Sequence, residues 1–510
     1  MIRRIFVAAL LVLTAACATV PPPAQPARFK ILQINDVYKI EGLESGNTGG
    51  LARVRTLREH LESDGTPVLV LHGGDALYPS VMSKYLDARP MVDVMNLLDG
   101  DAAKEDARLI VTFGNHEFDN KDAKILLARL NESAFQWVST NVRWCNPNCD
   151  QRFPKQTDLL TIDLDGLRVG LFGAIYPLQK SYVKSTDVIA SARDAVAALR
   201  GEGARVVIAI THQDMPDDEK LMQQVPGIDL IVGGHDHLYM QQQVNGKWIT
   251  KADADAKSAI VYDITIPPGA AIRTTPLRIA LDTSIPKDAE VDARVQQWLG
   301  ELSVKLGGNQ TIGRTENLLE GVEPVIRGRE SALGNLLTDA AREHMQTDVA
   351  VLNGGSVRIN DNIVPGPITT YDMEGIFYYT NTLVAFRVTG QQLLDMLRNS
   401  VSRVDAGDGR FLQVSGLSFA YHPRGGSFVV NAEDVNIGGK PLDVSASYTV
   451  ASLDYLYTNG SDDGYTLFAA ATRPPKVNES LEADFRKTVE AYLKAKGTVD
   501  TEIEGRIVRE

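Results

Sequence analysis

Five short apolar runs in the first half of this 510-residue chain each end directly in a polar cluster. Amphipathic stretches separate these runs, which predicts alternating strands and helices and therefore an α/β domain. Ligands of α/β sheets bind at the carboxyl ends of the strands, so we expect the five clusters to meet at one site. The clusters are Asn35-Asp36, Gly73-Gly74-Asp75, the GNHEFD segment from Gly114 to Asp119, Thr211-His212, and the GGHDH segment from Gly233 to His237.

The pattern divides the chain into two blocks. An amphipathic segment from Ala289 to Leu306 ends in Gly307-Gly308 and precedes a second block with its own apolar and amphipathic runs. We therefore expect a first domain over 28–285, an interdomain helix over 286–308 and a second domain over 309–510.

Within the blocks, single elements are predicted from the same periodicities. The predicted elements include strands at Phe29–Ile34, Val68–Leu71, Leu109–Phe113, Trp137–Thr140, Val206–Ile210 and Leu230–Val232, a hairpin around Asp165-Gly166, and a last helix at Glu479–Lys494.

The first residues are typical of an export signal. They place two arginines, a short apolar run and two alanines before Cys17, and the run is far shorter than the roughly 20 residues that a bilayer requires. The stretch resembles a bacterial lipoprotein signal over 1–16, which implies a lipid anchor on Cys17 at the cell envelope, facing the periplasm or the cell surface. Soluble periplasmic export after cleavage near Ala18 is the alternative. Residues 17–27 are interpreted as a proline-rich spacer.

Cys145 and Cys149 are the other two cysteines, close together in WCNPNC. In an exported protein such a pair suggests a small disulfide loop. Two free thiols, or less readily a zinc site, are the alternatives.

The charge balance limits the class of partner. The chain has 65 acidic and 52 basic residues, a net charge of -13. A binder of nucleic acid polymers needs a basic field, so that class is disfavoured. An anionic substrate must then meet local positive charge from a metal or from a few arginines.

Four of the eight histidines fall within the strand-end clusters: His116, His212, His235 and His237. Taken singly, an Asp after a strand is often a cap and a lone histidine is often packed. A His-Asp-His segment behind two glycines is harder to dismiss, because glycines allow the sharp turns that bring imidazoles to one point. The five clusters together favour a metal site.

The GNHEFD and GGHDH motifs resemble those of the calcineurin-like metallophosphoesterases. From Phe29 to its end, the chain is similar to the bacterial 5′-nucleotidase family. The resemblance implies an α/β/β/α sandwich followed by a smaller α/β nucleotide-recognition domain. It also implies release of phosphate from nucleoside 5′-monophosphates by attack of a metal-bound hydroxide.

The resemblance implies two divalent metal ions bridged by Asp75. Oxygen and imidazole ligands suit Mn, Zn or Co, with Fe as a further candidate. His116 would stabilise the transition state or act as general acid, with Asp119 orienting its ring. The remaining implied ligands are Asn115, His212 and His235 at one metal, and Asp36 and His237 at the other.

Two tyrosines complicate the metal assignment. The family has a histidine ligand where this chain has Tyr38. Tyr38 could ligate as a phenolate, leave one metal loosely held, or be structural. Tyr78 follows Asp75 at the spacing by which purple acid phosphatases bind ferric iron, a metal able to deprotonate a phenol. Packed or hydrogen-bonding roles for both tyrosines are the alternative.

Segments of the second block resemble the substrate-binding domain of the family. The resemblance implies an aromatic clamp for the base at Tyr379 and Tyr455, with tyrosine where the family has phenylalanine. Arginine forks suit phosphate oxygens, and a surface ion pair is the alternative for each. The implied remaining contacts are Asn381, Arg327, Arg358 and a ribose-binding Asp463.

Two rival functions follow from the positions at which this sequence differs from the family pattern. The altered clamp and the Ser461-Asp462 loop motivate another phosphoester, such as a 2′,3′-cyclic nucleotide, a nucleotide sugar or a non-nucleotide. Tyr38 motivates a nucleotide-binding protein without turnover. Retention of the His116–Asp119 pair alongside Asp75, Asn115, His212, His235 and His237 argues against the second rival. The sequence does not determine the oligomeric state.

Overall fold

The structure is a computed structural model that describes residues 26–164, 166–267 and 272–510. The predicted signal, Cys17 and most of the spacer lie outside these residues. Across the described ranges, no helix has both the length and the apolarity that a membrane crossing requires.

The first domain is built on two mixed sheets whose central strands are parallel. The first sheet runs, in spatial order, Leu277–Ala280, Ser258–Ile266, Ala27–Ile34, Val68–His72, Asp106–Val111, Phe135–Val138 and Gln156–Thr157. The second runs Met240–Val244, Lys247–Lys251, Leu230–Gly234, Val206–His212, Leu167–Ile175 and Leu159–Leu164.

Alternating side chains make this domain four layers thick. Leu69 and Leu71 point into the core between the two sheets, whereas Val68 and Val70 join the core under the outer helices. This is the two-residue period of a strand buried on both faces. The predicted α/β/β/α sandwich is confirmed. Its helices are Leu51–Glu62, Val81–Leu86, Arg89–Met95 and Lys124–Glu132 on the first sheet, and Val188–Gly201 and Met215–Gln224 on the second.

The predicted strands and the hairpin are present. Four of the strands are one or two residues longer at one end, and the other two lie two or three residues earlier in the chain. The strand predicted from Leu109 begins at Asp106, because that carboxylate is neutralised in the interior by Arg58. An apolar pattern alone places a charged residue outside a strand.

A 17-residue helix, Ala289–Lys305, occupies the segment expected between the domains. The Asp288 carboxylate caps it by accepting from Glu290 N and Val291 N. Its apolar face, including Trp298, packs into the helical core of the first domain. Asp93 of that domain accepts from Trp298 Nε1 at 2.7 Å and pairs with Arg294 at 2.5 Å.

The second domain carries a central sheet with helices against it and a smaller sheet beside it. The central sheet runs Leu412–Ser415, Val349–Asn353, Ser447–Leu453, Thr382–Thr389 and Lys476–Val477, with Ala483–Asp484 also on Thr382–Thr389. The smaller sheet runs Ser427–Val429, Leu417–Arg424, Val435–Ile437 and Lys440–Pro441, with Ile507–Arg509 also on Leu417–Arg424. The helices are Glu323–Ile326, Ala332–Met345, Thr370–Ile376, Gly390–Val401, Asp454–Asn459 and Phe485–Lys496.

The prediction of a helix from Glu479 was wrong at its start. Residues Glu479–Leu481 form a 3₁₀ turn, Ala483–Asp484 pairs with the central sheet, and the helix begins at Phe485 under an Asp484 cap. The helical periodicity of the sequence extends through Glu479–Leu481. The helix itself starts later because Ala483–Asp484 pairs with a strand that is distant in sequence, and such tertiary pairing overrides local propensity.

Short ribbons complete the molecule. Cys145 and Cys149 are joined in a disulfide between the antiparallel strands Val142–Cys145 and Cys149–Gln151. The other ribbon strands are Gln179–Lys180 and Val183–Ser185, Thr311–Thr315 with Gly366–Thr369 and Thr498–Val499, and Leu319–Glu320 with Asn362–Ile363.

Candidate metal centre

All five polar clusters lie at the carboxyl ends of parallel strands, three from the first sheet and two from the second. Four candidate ligands have left-handed backbone conformations. Their φ angles are 53° at Asp36, 56° at Asp75, 84° at His235 and 60° at His237. Residues other than glycine rarely adopt such φ angles, and the backbone strain is typically retained at functional sites.

Glycines let the two sheet ends approach each other. A Cβ on Gly234 would lie 2.4 Å from the Gly73 carbonyl oxygen, which belongs to the other sheet. A Cβ on Gly114 would lie 2.1 Å from Asp75 Oδ1. The glycines of the motifs are therefore required by close packing as well as by the turns.

Asp36, Asp75 and His212 present ligand atoms that all lie within 4.8 Å of one another, and all three residues are buried. His212 Nδ1 donates to the Gly73 carbonyl at 2.7 Å, so Nε2 faces the cluster. There Nε2 lies 3.2 Å from Asp75 Oδ2 and 3.1 Å from Asn115 Oδ1. These carboxylate, imidazole and amide donors could together hold a divalent cation.

The two other histidines border the same cluster. His237 Nε2 lies 3.5 Å from Asp36 Oδ1. The His235 backbone N–H donates to Asp36 Oδ2 at 3.0 Å, and its ring centroid is 5.0 Å from that of His212. The structure therefore brings all the sequence-predicted ligands to one place.

The electrostatics of the cluster favour a cation. Burial lowers the pKa of His212, but the Asp75 carboxylate outweighs burial and raises the pKa to about 9. Burial is likewise outweighed at His237, where Glu323 and Asp36 raise the pKa to about 9. Both imidazoles lie in a negative potential, which a metal ion would neutralise.

The Tyr38 hydroxyl lies inside the cluster. Its oxygen is 2.9 Å from His237 Nε2, 3.1 Å from Asp75 Oδ2 and 3.3 Å from Asp36 Oδ1. Burial and the neighbouring carboxylates raise the pKa of Tyr38 well above its usual value, which favours a neutral phenol. Tyr78 instead packs in the helix-side core, which is the core between the first sheet and its outer helices. Within the described residues its hydroxyl makes no hydrogen bond.

His116 and Asp119 form a pair beside the cluster. His116 Nδ1 donates to Asp119 Oδ2 at 2.6 Å, and the His116 backbone N–H donates to Asp75 Oδ1 at 2.8 Å. Lys180, which sequence reasoning missed, binds the other Asp119 oxygen at 3.0 Å. Burial lowers the pKa of His116, but Asp75 and Asp119 outweigh it and raise the pKa above its usual value.

Sequence reasoning also missed the role of Glu117 inside GNHEFD. Its buried carboxylate accepts from four backbone N–H groups, those of Asp75, Ala76, Leu77 and Gly114. Burial and the nearby Asp75 charge raise the pKa of Glu117 to about 7. Glu117 thereby holds the loop that presents Asp75. Its position inside the GNHEFD motif was the sequence signal for this role.

The second domain closes over the candidate centre. A cleft of about 380 Å³ has His116, His235 and His237 on one wall, and Arg327 and Arg358 on the other. Glu323, a residue without any sequence signal, lies between the walls and pairs with His237 and Arg327.

The two tyrosines expected to clamp the base lie beyond the same end of two neighbouring strands of the central sheet. Leu383 pairs with Leu453, so Tyr379 before the first strand and Tyr455 after the second emerge at the same end. The two residues are 49% and 42% exposed. The Arg358 guanidinium is 5.8 Å from the Tyr379 ring centroid, and burial together with Asp463 raises the pKa of Tyr455. Asn381 uses its carbonyl to accept from Phe485 N at 3.0 Å.

Comparison with known protein families agrees with this two-part architecture. Residues 29–239 match the calcineurin-like phosphoesterase family, and residues 311–470 match the 5′-nucleotidase C-terminal domain.

Relatives share the arrangement over nearly their whole length. A snake venom 5′-nucleotidase from Crotalus adamanteus is 25% identical, covering 96% of this chain and 90% of the relative. The 5′-nucleotidase of Mus musculus is also 25% identical, covering 97% of this chain and 93% of the relative. The crystal structure of a 5′-nucleotidase precursor from Thermus thermophilus has a TM-score of 0.73 at 25% identity, covering 94% of this chain and 99% of that one.

Proposed function

The chain belongs to the calcineurin-like phosphoesterases that carry a 5′-nucleotidase C-terminal domain, and from that premise we propose that it releases phosphate from nucleoside 5′-monophosphates. The observation that carries the proposal is the shared cleft. Candidate metal ligands and His116 line one wall, and two arginines line the other. A phosphate group between the walls would contact both.

Two divalent ions would be held with Asp75 as the shared ligand, Asn115, His212 and His235 at one ion, and Asp36 and His237 at the other. The donor set suits Mn, Zn, Co or Fe. When bound, such a pair supplies Lewis-acid activation of water and charge neutralisation on phosphate oxygens.

His116 acts on the phosphate from within the cleft. Because Asp119 accepts from Nδ1, the Nε2 proton of His116 is free to be donated. A protonated ring stabilises charge on the phosphate or protonates the departing ester oxygen. Lys180 keeps the Asp119 carboxylate in position.

The second domain binds the rest of the nucleotide. Arg358 and Arg327 offer guanidinium donors to phosphate oxygens. Tyr379 and Tyr455 present half-exposed rings beyond the same end of two neighbouring strands, which suits stacking on a base, and Asp463 accepts from ribose hydroxyls. Asn381 is assigned to the same subsite from its motif.

The test is phosphate release from AMP by purified protein loaded in turn with Mn, Zn, Co or Fe. His116→Ala should lower kcat by about 10²–10⁴-fold while the bound metal stays constant. His60→Ala, on an exposed helix position of the same domain, is the matched control and should keep full activity. Full activity in His116→Ala would contradict the assignment.

Three further substrates separate this function from its rivals. A 2′,3′-cyclic nucleotide, UDP-glucose and an aryl phosphate should react more slowly than AMP. Turnover of one of these alone would move the substrate assignment and keep the site. No turnover of AMP or of any of these three substrates, with metal bound, would favour a binding protein without turnover.

We also propose that the chain is exported and anchored in the cell envelope through a lipid on Cys17. The support is the arginine, apolar and alanine order before that residue. Full-length protein should partition into the detergent phase of a Triton X-114 extract, and Cys17→Ser should shift it to the aqueous phase. Equal partitioning of the two would contradict the anchor.

A further inference from the structure

Glu323 reaches from the second domain to a candidate metal ligand of the first. It begins the helix Glu323–Ile326, and its Oε2 accepts from His237 Nδ1 at 2.9 Å. The opposite nitrogen of the same ring, Nε2, faces Tyr38 and Asp36 in the cluster. One face of the imidazole therefore contacts the other domain, and the opposite face contacts the candidate metal site.

The Glu323 carboxylate is held on every side. Its second oxygen, Oε1, pairs with Arg327 and lies 3.6 Å from Arg358 Nη1. Its backbone N–H donates to Asn360 Oδ1 at 3.1 Å. The side chain is only 13% exposed. Such a carboxylate has a defined orientation, unlike that of a mobile surface ion pair.

The other two histidines of the cluster are oriented within their own domain. His212 Nδ1 donates to the Gly73 carbonyl, and the His235 ring packs 5.1 Å from that of Tyr176. His237 differs because the partner of its Nδ1 belongs to the substrate-binding domain. The contact that orients this ring therefore exists only while the two domains are together.

A histidine that binds metal through one nitrogen is oriented by the acceptor on its other nitrogen, which sets the tautomer and increases ligand basicity. We propose that Glu323 is a positioning residue through which the substrate-binding domain sets the affinity of the metal ion held by His237. This inference rests on the metal ligands of the proposed function. Because Glu323 also pairs with both arginines, the metal site and the phosphate contacts share one carboxylate.

The experiment titrates Mn²⁺ into metal-free full-length protein by calorimetry. Glu323→Ala should weaken one of the two binding events by about 10–100-fold and leave the other unchanged. Glu323→Gln should weaken the same event less, because its amide oxygen still accepts from Nδ1. The graded order of the two variants distinguishes orientation of the ring from a general loss of structure.

Glu320→Gln is the matched control. It removes a neighbouring carboxylate that pairs with Arg329 at 2.7 Å but has no contact with His237, so both Mn²⁺ affinities should stay as in the unaltered chain. Thermal unfolding establishes that each variant is folded. If Glu323→Ala does not fold, the Mn²⁺ affinity of Glu323→Gln decides the test. Unchanged Mn²⁺ binding in folded Glu323 variants overturns this inference alone. Absence of Mn²⁺ binding by the unaltered chain overturns it together with the metal site of the proposed function.

Discussion

The Lys251 ammonium lies 3.1 Å from the Asp218 carboxylate, and both side chains are completely buried. Lys251 also lies 2.5 Å from Asp236, between the two histidines of GGHDH, and donates to the carbonyls of Gly234 and Gln213. Gln213 follows His212 directly. One buried cation therefore ties together the two loops that the second sheet contributes to the metal centre.

Replacing this cation should destabilise the fold. Lys251→Met leaves the Asp218 carboxylate buried without its counter-charge, and breaking a buried pair costs about 3–5 kcal/mol in free energy of unfolding. Urea unfolding at pH 7 measures the change. Lys305→Met, at an exposed position of the interdomain helix, is the control and should change stability by less than about 0.5 kcal/mol. Equal stabilities of the two variants would contradict the structural role of Lys251.

Gly114→Ala should disrupt the metal centre without unfolding the chain. Its new methyl group would overlap Asp75 Oδ1 and crowd the Asp75 backbone nitrogen, so Asp75 must shift from the position in which it faces His212. We expect Mn²⁺ affinity and AMP turnover to fall at least 10-fold. Gly300→Ala is the control, because nothing lies within 4 Å of a Cβ at this exposed position of the interdomain helix. It should gain up to about 1 kcal/mol of stability and keep full activity.

Asp93 should make stability depend on acidity. Burial raises the pKa of Asp93, but its bonds to Arg294 and Trp298 outweigh burial and hold the pKa below the ordinary value. A carboxyl with a depressed folded-state pKa contributes stability above its unfolded pKa of about 4 and loses it as pH falls through the folded value.

Asp93→Asn should therefore lower the melting temperature at pH 7, and the difference from the unaltered chain should shrink below about pH 4. Asp194→Asn, on the exposed face of Val188–Gly201, is the control and should show little difference at either pH. A difference for Asp93→Asn that stays constant from pH 7 to pH 3 would exclude this linkage.

Tyr38 should act as a neutral hydrogen-bonding group when the bound metals are divalent. Its raised pKa opposes the phenolate form, so Tyr38→Phe should still bind two Mn²⁺ ions. In iron-loaded protein, a visible charge-transfer absorption band that is lost in Tyr38→Phe and retained in Tyr78→Phe would instead establish tyrosinate ligation. Tyr78 serves as the control because its hydroxyl lies in the helix-side core.

Local sequence patterns were sufficient to predict the framework. Each apolar run of the first domain carries its polar cluster directly behind it, so the strand order along the chain already placed Asp75 and His212 at strand ends. Short apolar runs predicted the strands, and two glycines before His235 predicted a sharp turn. The strand beginning at Asp106 departed from the pattern because a distant arginine neutralises its charge.

The sequence by itself therefore determined the α/β class, the set of candidate ligands and the His116–Asp119 pair, because these depend on neighbours within a few residues or on strand ends that meet by topology. The sandwich followed from the resemblance that the GNHEFD and GGHDH motifs carry. Only the tertiary structure decided that Tyr38 lies among the ligands, that Lys251 joins two loops, and that Glu323 crosses to His237. The Glu323 contact spans 86 positions, and no periodicity or motif encodes it. Such contacts depend on how the sheets and domains pack, and packing brings together side chains that the local sequence leaves unrelated.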